Sequence, residues 1–305
     1  MSDPEIVLLS GGTGGAKLAR GMADAAGAEQ LAVLVNTGDD IEIYGAHVSP
    51  DPDLVSFWLA DLIDERGWGL SGDTFNVMDG LRELGVDVWF NLGDRDLAWC
   101  MERSRLLAAG STLTTALAHL NERIGVRSRV LPMSDDPVRT WVTTTAGLRP
   151  FQEFMIRDRA AGRIEELEFR GAAEARASDA ALRAIAAAGA IIIGPSNPLA
   201  SIAPILAVPG IREAMLASDA PVIAVSPVVA GEVLKGPTAS FMAYAGQSVS
   251  ASGVAAYYGD LLSGIVADED VEGLPTLRTD IRMDDGAARV RLAQETLTFA
   301  RAMRG

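Results

Sequence analysis

The chain is poor in the residues that most metal and nucleophile chemistry draws on. Its 305 residues include one cysteine, Cys100, and two histidines, His47 and His119. A lone thiol excludes an internal disulfide and suits a reducing compartment. Two histidines and one cysteine are too few for a structural zinc site. Neither histidine lies in a motif that would build a Ser/His/Asp nucleophile set. Lysine is nearly absent: of 26 basic residues only Lys17 and Lys235 are lysines, and both sit beside glycine-containing loops. Long apolar runs are missing too. Ala186–Ile193 is among the longest and is too short to span a bilayer, so no membrane partner is expected. No secretory leader is expected ahead of the first apolar run, which points to the cytoplasm. A net charge of −15 disfavours nucleic acid as a partner. An anionic substrate would need local neutralisation by a metal or a few placed bases.

What is present is a well-patterned globular chain. Apolar content is 49%, and the length allows a full core, as one α/β domain or one domain with an insertion. The stretch that organises the rest begins at the apolar run Ile6-Val7-Leu8-Leu9. It continues through Ser10-Gly11-Gly12-Thr13-Gly14-Gly15-Ala16-Lys17 into the helix-like Leu18–Ala23. A strand that ends in glycines and opens a helix is an anion site. Glycines bring bare amide N–H groups to the ligand, and the helix N-terminus adds unpaired donors and partial positive charge. Lys17 adds a full charge. The spelling is neither a Walker A loop, where Lys17 would need glycine before it and Ser or Thr after it, nor a G-x-G-x-x-G fingerprint, where Lys17 occupies the third glycine. A plain NAD dehydrogenase is therefore disfavoured.

Leu31–Asn36 predicts a second buried strand, and strand, helix, strand over about thirty residues is a right-handed parallel unit. It runs into Asn36-Thr37-Gly38-Asp39-Asp40. Further strands are predicted at Val86–Phe90, Arg129–Met133, Ala190–Ile193 and Pro221–Val225. Asp73 is expected to cap a helix over Phe75–Leu84, and Asp94 or Asp96 the helix that follows. Thr140–Thr145 and Phe151–Ile156 predict a hairpin around Gly147-Leu148-Arg149-Pro150. The whole reads as α/β: a Rossmann-like, mostly parallel sheet with helices on both faces, plus a smaller inserted α+β segment. The core is expected from 1–136 and 179–305, with 137–178 as the insertion. Polar loops then gather at the carboxyl edge of the sheet, where open α/β sheets bind ligands. Carboxylates beside a phosphate site make sense with Mg²⁺ between them, and the composite reads as phosphoryl transfer.

The loops Ser10-Gly-Gly-Thr-Gly-Gly-Ala-Lys, Val35-Asn-Thr-Gly-Asp-Asp, Leu92-Gly-Asp-Arg-Asp, Leu131-Pro-Met-Ser-Asp-Asp-Pro-Val and Ile193-Gly-Pro-Ser-Asn-Pro resemble, in order and spacing, those of the 2-phospho-L-lactate transferase (CofD) family. The resemblance implies a Mg²⁺-dependent transferase of coenzyme F-420 biosynthesis. Such an enzyme moves a phospho-acid group (2-phospholactate, phosphoenolpyruvate or 3-phosphoglycerate) from a guanosine diphosphate-linked donor to a ribityl hydroxyl of the deazaflavin Fo, and GMP leaves. It implies a homodimer. By the same resemblance Gly11, Gly12, Thr13, Gly14, Gly15, Lys17, Gly194, Ser196 and Asn197 face the donor. Asn36, Asp94, Ser134, Asp135 and Asp136 line the same edge. Asp51 and Asp53 hold the metal or orient the acceptor, and Arg95 lies near the acceptor or the transferred phosphate. A flat acceptor also asks for an aromatic wall, for which Trp58, Trp68, Trp89 and Trp99 are available, Trp68 best placed in its Gly-flanked loop. The rival expectation is a nucleotide-sugar-binding regulator from a sister family with a similar Gly-Gly-Thr-Gly start.

Overall fold

The computed structural model describes residues 4–233 and 236–304; Lys235 lies outside them. Seven parallel strands form the main sheet: β1 (Ile6–Ser10), β2 (Leu31–Val35), β3 (Arg129–Pro132), β4 (Ala190–Ile193), β5 (Val222–Val225), β6 (Gly264–Ala267) and β7 (Thr276–Arg278). Their spatial order is β3-β2-β1-β4-β5-β6-β7. This is the doubly wound order of nucleotide-binding sheets, extended by one strand. In register, Leu8 of β1 lies beside Val33 on one side and Ile192 on the other. Both faces are covered, which is why these strands read as unbroken apolar runs rather than alternating ones.

Successive residues feed two separate cores. Ile6, Leu8, Val33 and Ile192 pack under α1 (Gly12–Ala26), α2 (Pro50–Leu59) and the C-terminal helix Gly286–Met303. Val7, Leu9, Leu34 and Ile193 face the opposite layer, which includes the helix Asp179–Ala187 and Phe241. Residues 41–108 build a third, smaller core of Ala46, Val48, Met78, Leu92, Leu97 and Cys100. It comprises the hairpin Ile41–Ile43/Ala46–Val48, α3 (Asn76–Glu83) and α4 (Asp94–Ala108). The hairpin's two-residue turn has Tyr44 at φ 51° and Gly45 at φ 76°, the conformation that matches strand twist. α5 (Leu113–Arg123) follows, capped by the Thr112 hydroxyl, which accepts from Thr115 N–H at 3.2 Å.

Residues 137–178 hold an antiparallel sheet ordered Gly147–Pro150, Arg139–Thr144, Ile164–Arg170, and the helix Phe151–Ile156. Val138, Val142, Phe154 and Ile164 join the main core instead of forming one of their own.

Two expected strands do not form. Phe151–Ile156 is a helix: Pro150 ends the preceding strand, and Phe151 and Phe154, three apart, both turn inward against Phe241. Val86–Phe90 is irregular. It finds no partner strand; Phe90 N–H donates to the Tyr44 hydroxyl at 3.2 Å, and Trp89 meets Phe90 edge to face. Its alternation belongs to an extended segment leaning on the hairpin.

Candidate active site

The loops after β1 and β4 diverge where the strand order reverses, and a cleft of about 970 Å³ opens there. Gly11, Gly12, Thr13, Gly14 and Lys17 line one side of it, with Ser196 and Asn197 beside them. Gly12 holds φ +64°, which favours glycine, and α1 starts from it. At Gly14 a Cβ would fall on the Pro195 carbonyl oxygen; at Gly15 it would crowd the Ser10 and Ser196 hydroxyls. The glycines thus serve two ends. They let the two loops touch, and although the Gly11 and Gly12 amides are taken by Ser196 and Asp51, those of Thr13 and Gly14 at the start of α1 remain without an intrahelical partner. Ser196 Oγ accepts from Gly11 N–H at 3.2 Å, tying the loops together. Asn197 caps the next turn, its Oδ1 accepting from Leu199 and Ala200 N–H at 3.0 Å each. Lys17 Nζ donates to the Met283 carbonyl at 3.2 Å and lies 5.9 Å from the Trp58 ring centre.

Asp51 and Asp53 both stand in the first turn of α2, behind Pro50. Neither caps its own helix. Asp51 Oδ1 accepts from Gly12 N–H at 2.6 Å, and its Oδ2 from Asn36 Nδ2 at 2.9 Å. The same Asn36 amide donates to Asp39 Oδ1 at 3.0 Å, while its carbonyl oxygen accepts from Gly38 N–H at 2.8 Å. So Asn36, fully buried, holds two carboxylates side by side. Burial pushes the Asp51 carboxyl up to about 6 against the pull of those two hydrogen bonds. Burial and the neighbouring Asp51 raise Asp39 as well. Among the described residues neither carboxylate makes an ion pair.

The remaining buried acids are matched. Asp40 accepts from Ser49 Oγ at 2.7 Å and bonds His47 Nε2 at 3.0 Å. Burial opposes the His47 cation, but Asp40 and Glu42 outweigh it and raise its pKa. Asp53 Oδ1 takes the Arg103 guanidinium and Trp99 Nε1, the latter at 2.7 Å. Arg103 is fully buried and also donates to the His47 carbonyl at 3.1 Å. Among the described residues Asp53 Oδ2 has only the Cys100 thiol, at 3.9 Å. Asp96, on the cleft wall, is pushed up to about 7 by burial and by Asp53. Asp53, Asp96 and Cys100 could together hold a metal. Magnesium fits them poorly, because one donor is a thiol that burial keeps protonated and Asp53 already carries a cation. Asp39 Oδ2, which has no partner among the described residues, and the neighbouring Asp51 carboxylate, which makes no ion pair there, suit a hard cation better.

The wall opposite in character is apolar. Phe57, Trp68, Phe75, Phe90, Phe151 and Met155 contribute to it. Of the four candidate tryptophans, Trp68 lines the cleft and is 56% exposed. Trp99 packs behind it against Phe57, Trp89 lies against Phe90, and Trp58 lies under Lys17.

The other expected site residues fall outside this lining. Gly194 lies beneath it, its Cβ position 3.0 Å from the Leu9 carbonyl oxygen. Arg95 sits at the rim, with Nη1 donating to the Ser71 carbonyl at 3.1 Å. Asp94 caps α3, accepting from Asn76 N–H at 3.1 Å and Val77 N–H at 2.9 Å. Ser134 Oγ donates to the Arg176 carbonyl at 2.6 Å, Asp136 accepts from Arg176 N–H at 2.9 Å, and Asp135 accepts from Thr114 N–H at 2.7 Å. Those three fasten the end of β3 to the returning insertion and to α5. Asp39, Arg103 and the phenylalanine wall are the site residues that the sequence motifs do not mark. Asp39 carries a signal, on the loop of Asn36; Arg103 sits in a polar helical run and gives none.

The family described as 2-phospho-L-lactate transferase CofD matches residues 6–294. The 2-phospho-L-lactate transferase of Methanosarcina mazei is 40% identical over 265 residues, covering 87% of each chain. That of Methanocaldococcus jannaschii is 35% identical, covering 96% of this chain and 97% of its own. The phosphoenolpyruvate transferase of Kitasatospora aureofaciens is 39% identical over 98% of both chains. A crystal structure of a UPF0052-family protein from Bacillus halodurans aligns with a TM-score of 0.65 at 16% identity, over 97% of this chain and 100% of that one, and shows a shared fold. The regulator reading is not favoured, since these closer relatives carry transferase names.

Proposed function

The chain belongs to the 2-phospho-L-lactate transferase CofD family and is a transferase, and from that premise we propose its reaction. It moves a phospho-acid group from a guanosine diphosphate-linked donor to a ribityl hydroxyl of Fo, releasing GMP, in F-420 biosynthesis. One observation carries this reading. A single cleft joins the open amides of a helix N-terminus, two buried carboxylates that make no ion pair among the described residues, and an aromatic wall. The first suits a diphosphate, the second a divalent metal, the third a planar acceptor.

In this reading the Thr13 and Gly14 amides and Lys17 hold the diphosphate. Asp51, with Asp39 beside it, holds Mg²⁺, which when bound polarises a phosphoryl oxygen and offsets its charge. Asp53, where Arg103 works against the upward push of burial, orients the attacking hydroxyl. The hydroxyl oxygen bonds to the phosphorus that carries the acid. The bond from that phosphorus to the bridging oxygen breaks, and GMP departs with that oxygen. The hydroxyl proton passes to Asp96, whose carboxyl near 7 suits an acceptor at working pH. Arg95 braces the rim through Ser71. The enzyme works in the cytoplasm; among the described residues no single helix is long and apolar enough to cross a membrane. It works as a homodimer, for which the exposed Val77, Leu84, Val86 and Met101 offer apolar surface.

The test is mass spectrometry of the product formed from Fo, Mg²⁺ and each of the three guanosine diphosphate-linked donors. One donor should give the phospho-acid ester of Fo and an equivalent of GMP. Silence from all three would discard the reaction.

A further inference from the structure

Among the described residues that line the cleft, the cations are Lys17 and Arg66, set against Asp39, Asp51, Asp53, Asp73, Asp96 and Asp284. A donor of the proposed kind brings more negative charge: a diphosphate and the carboxylate of its acid. Lys17 stands on α1, inside the loop that faces the diphosphate. The acid's carboxylate then needs its own cation.

Arg66 is built to supply it. It rides on a short loop closed at its base by the bridge between Ile63 and Leu70, with Ser71 N–H donating to the Leu62 carbonyl at 2.9 Å and Asp64 N–H to the Gly69 carbonyl at 3.0 Å. Gly67 at φ 87° and Gly69 at φ 70° make the tip that carries Arg66 and Trp68. Asp64 Oδ1 accepts from both the backbone N–H of Arg66, at 3.1 Å, and its Nε, at 2.5 Å. One edge of the guanidinium is thereby fixed. The two terminal amino groups have no partner among the described residues, and Arg66 is part of the cleft lining. A planar fork with one edge anchored and the other open matches a carboxylate in two parallel hydrogen bonds. The neighbouring Trp68 places this fork next to the wall offered to the acceptor, which is where the transferred acid must arrive.

We propose that Arg66, oriented by Asp64, reads the carboxylate of the transferred phospho-acid and so favours the acid-bearing donor over bare GDP. This rests on the transferase reading above. The test uses the full chain with Fo, Mg²⁺ and the donors bearing 2-phospholactate and phosphoenolpyruvate, and GDP alone as the binding probe. Arg66→Ala should raise the donor KM about tenfold or more, with kcat, the KM for Fo and the Kd for GDP within about twofold of the parent. Arg66→Lys, which keeps the charge and loses the fork, should recover only part of the donor KM. Asp64→Asn should raise the donor KM by a smaller factor. An unchanged donor KM in Arg66→Ala overturns the assignment. So does a GDP Kd that weakens in step with the donor KM, because the fork would then read the diphosphate. If the parent protein turns over neither donor, nor the 3-phosphoglycerate one, the transferase reading itself has failed, and that result is separate from either of the others.

Discussion

The Asp51 carboxylate sits on the Gly12 amide at 2.6 Å, so the N-terminus of α1 already holds a negative charge before any phosphate arrives. Two anions at one helix end repel unless a cation joins them. Asp39, the second carboxylate on Asn36, adds to the need. On the proposed reading the anion site and the metal site are therefore one construction, in which Asn36 sets the spacing of the acids and the glycine loop sets the approach of the phosphate.

The folded-state carboxyl of Asp51 lies at about 6, above its ordinary 3.8. Between those values the folded protein holds more protons than the unfolded chain, so metal-free stability falls as pH rises from about 4 to about 6. The loss from this group is on the order of 3 kcal/mol. Mg²⁺ should offset it only where Asp51 is ionised. Thermal unfolding with and without Mg²⁺ should show a larger gain in Tm at pH 7.5 than at pH 5. An equal gain at both would remove Asp51 from the metal site.

Arg103 and Asp53 form a buried pair, both less than a tenth exposed. Removing the cation alone leaves an uncompensated charge. Arg103→Met should cost about 3–5 kcal/mol in urea unfolding. Asp53→Asn made in the same chain should return a good part of that loss, because the stranded carboxylate is gone. If the two losses simply add, the pair is not coupled and Arg103 does not hold Asp53 ionised.

Much of this arrangement was legible in the chain, and the parts that were not share a cause. β1, β2, β4 and β5 are continuous apolar runs ending in Gly, Asn or Ser, so both strand and loop announce themselves. The edge on which those loops meet follows from parallel topology alone. Capping shows where local reading stops. Asp73 and Asp94 each precede a helix and each look like its cap. Yet Asp73 accepts from Arg95 N–H at 2.9 Å and Asp96 N–H at 3.0 Å, at the start of α4, while Asp94 caps α3. The two acids have exchanged helices, a tertiary choice with no local signal. Arg103 is similar: it is buried by what α2 and the hairpin place over it, not by its neighbours in sequence.

Asp96 carries the pH dependence expected of the chemistry. Burial lifts its carboxyl to about 7, with Asp53, Asp73 and the Cys100 side chain near it and Arg103 pulling the other way. If it accepts the hydroxyl proton, it must be ionised, and kcat/KM should rise with pH and level off above about 7. Asp96→Asn should lower kcat by on the order of 10²-fold or more and abolish that limb. A limb that persists in the variant belongs to another group.

Trp68 gives the cleanest probe of the acceptor wall, because at 56% exposure it can be truncated with little consequence for the fold. Its indole lines the cleft together with Phe57, Phe75 and Phe90. Stacking on a planar ligand adds about 0.5–1.5 kcal/mol beyond simple burial, so Trp68→Ala should weaken Fo binding by roughly threefold to tenfold. GDP binding depends on the glycine loop and should stay within about twofold. Titration of Fo fluorescence measures the first and GDP calorimetry the second. Equal weakening of both would mean that Trp68 shapes the cleft as a whole, while no change in Fo affinity would move the acceptor to another wall.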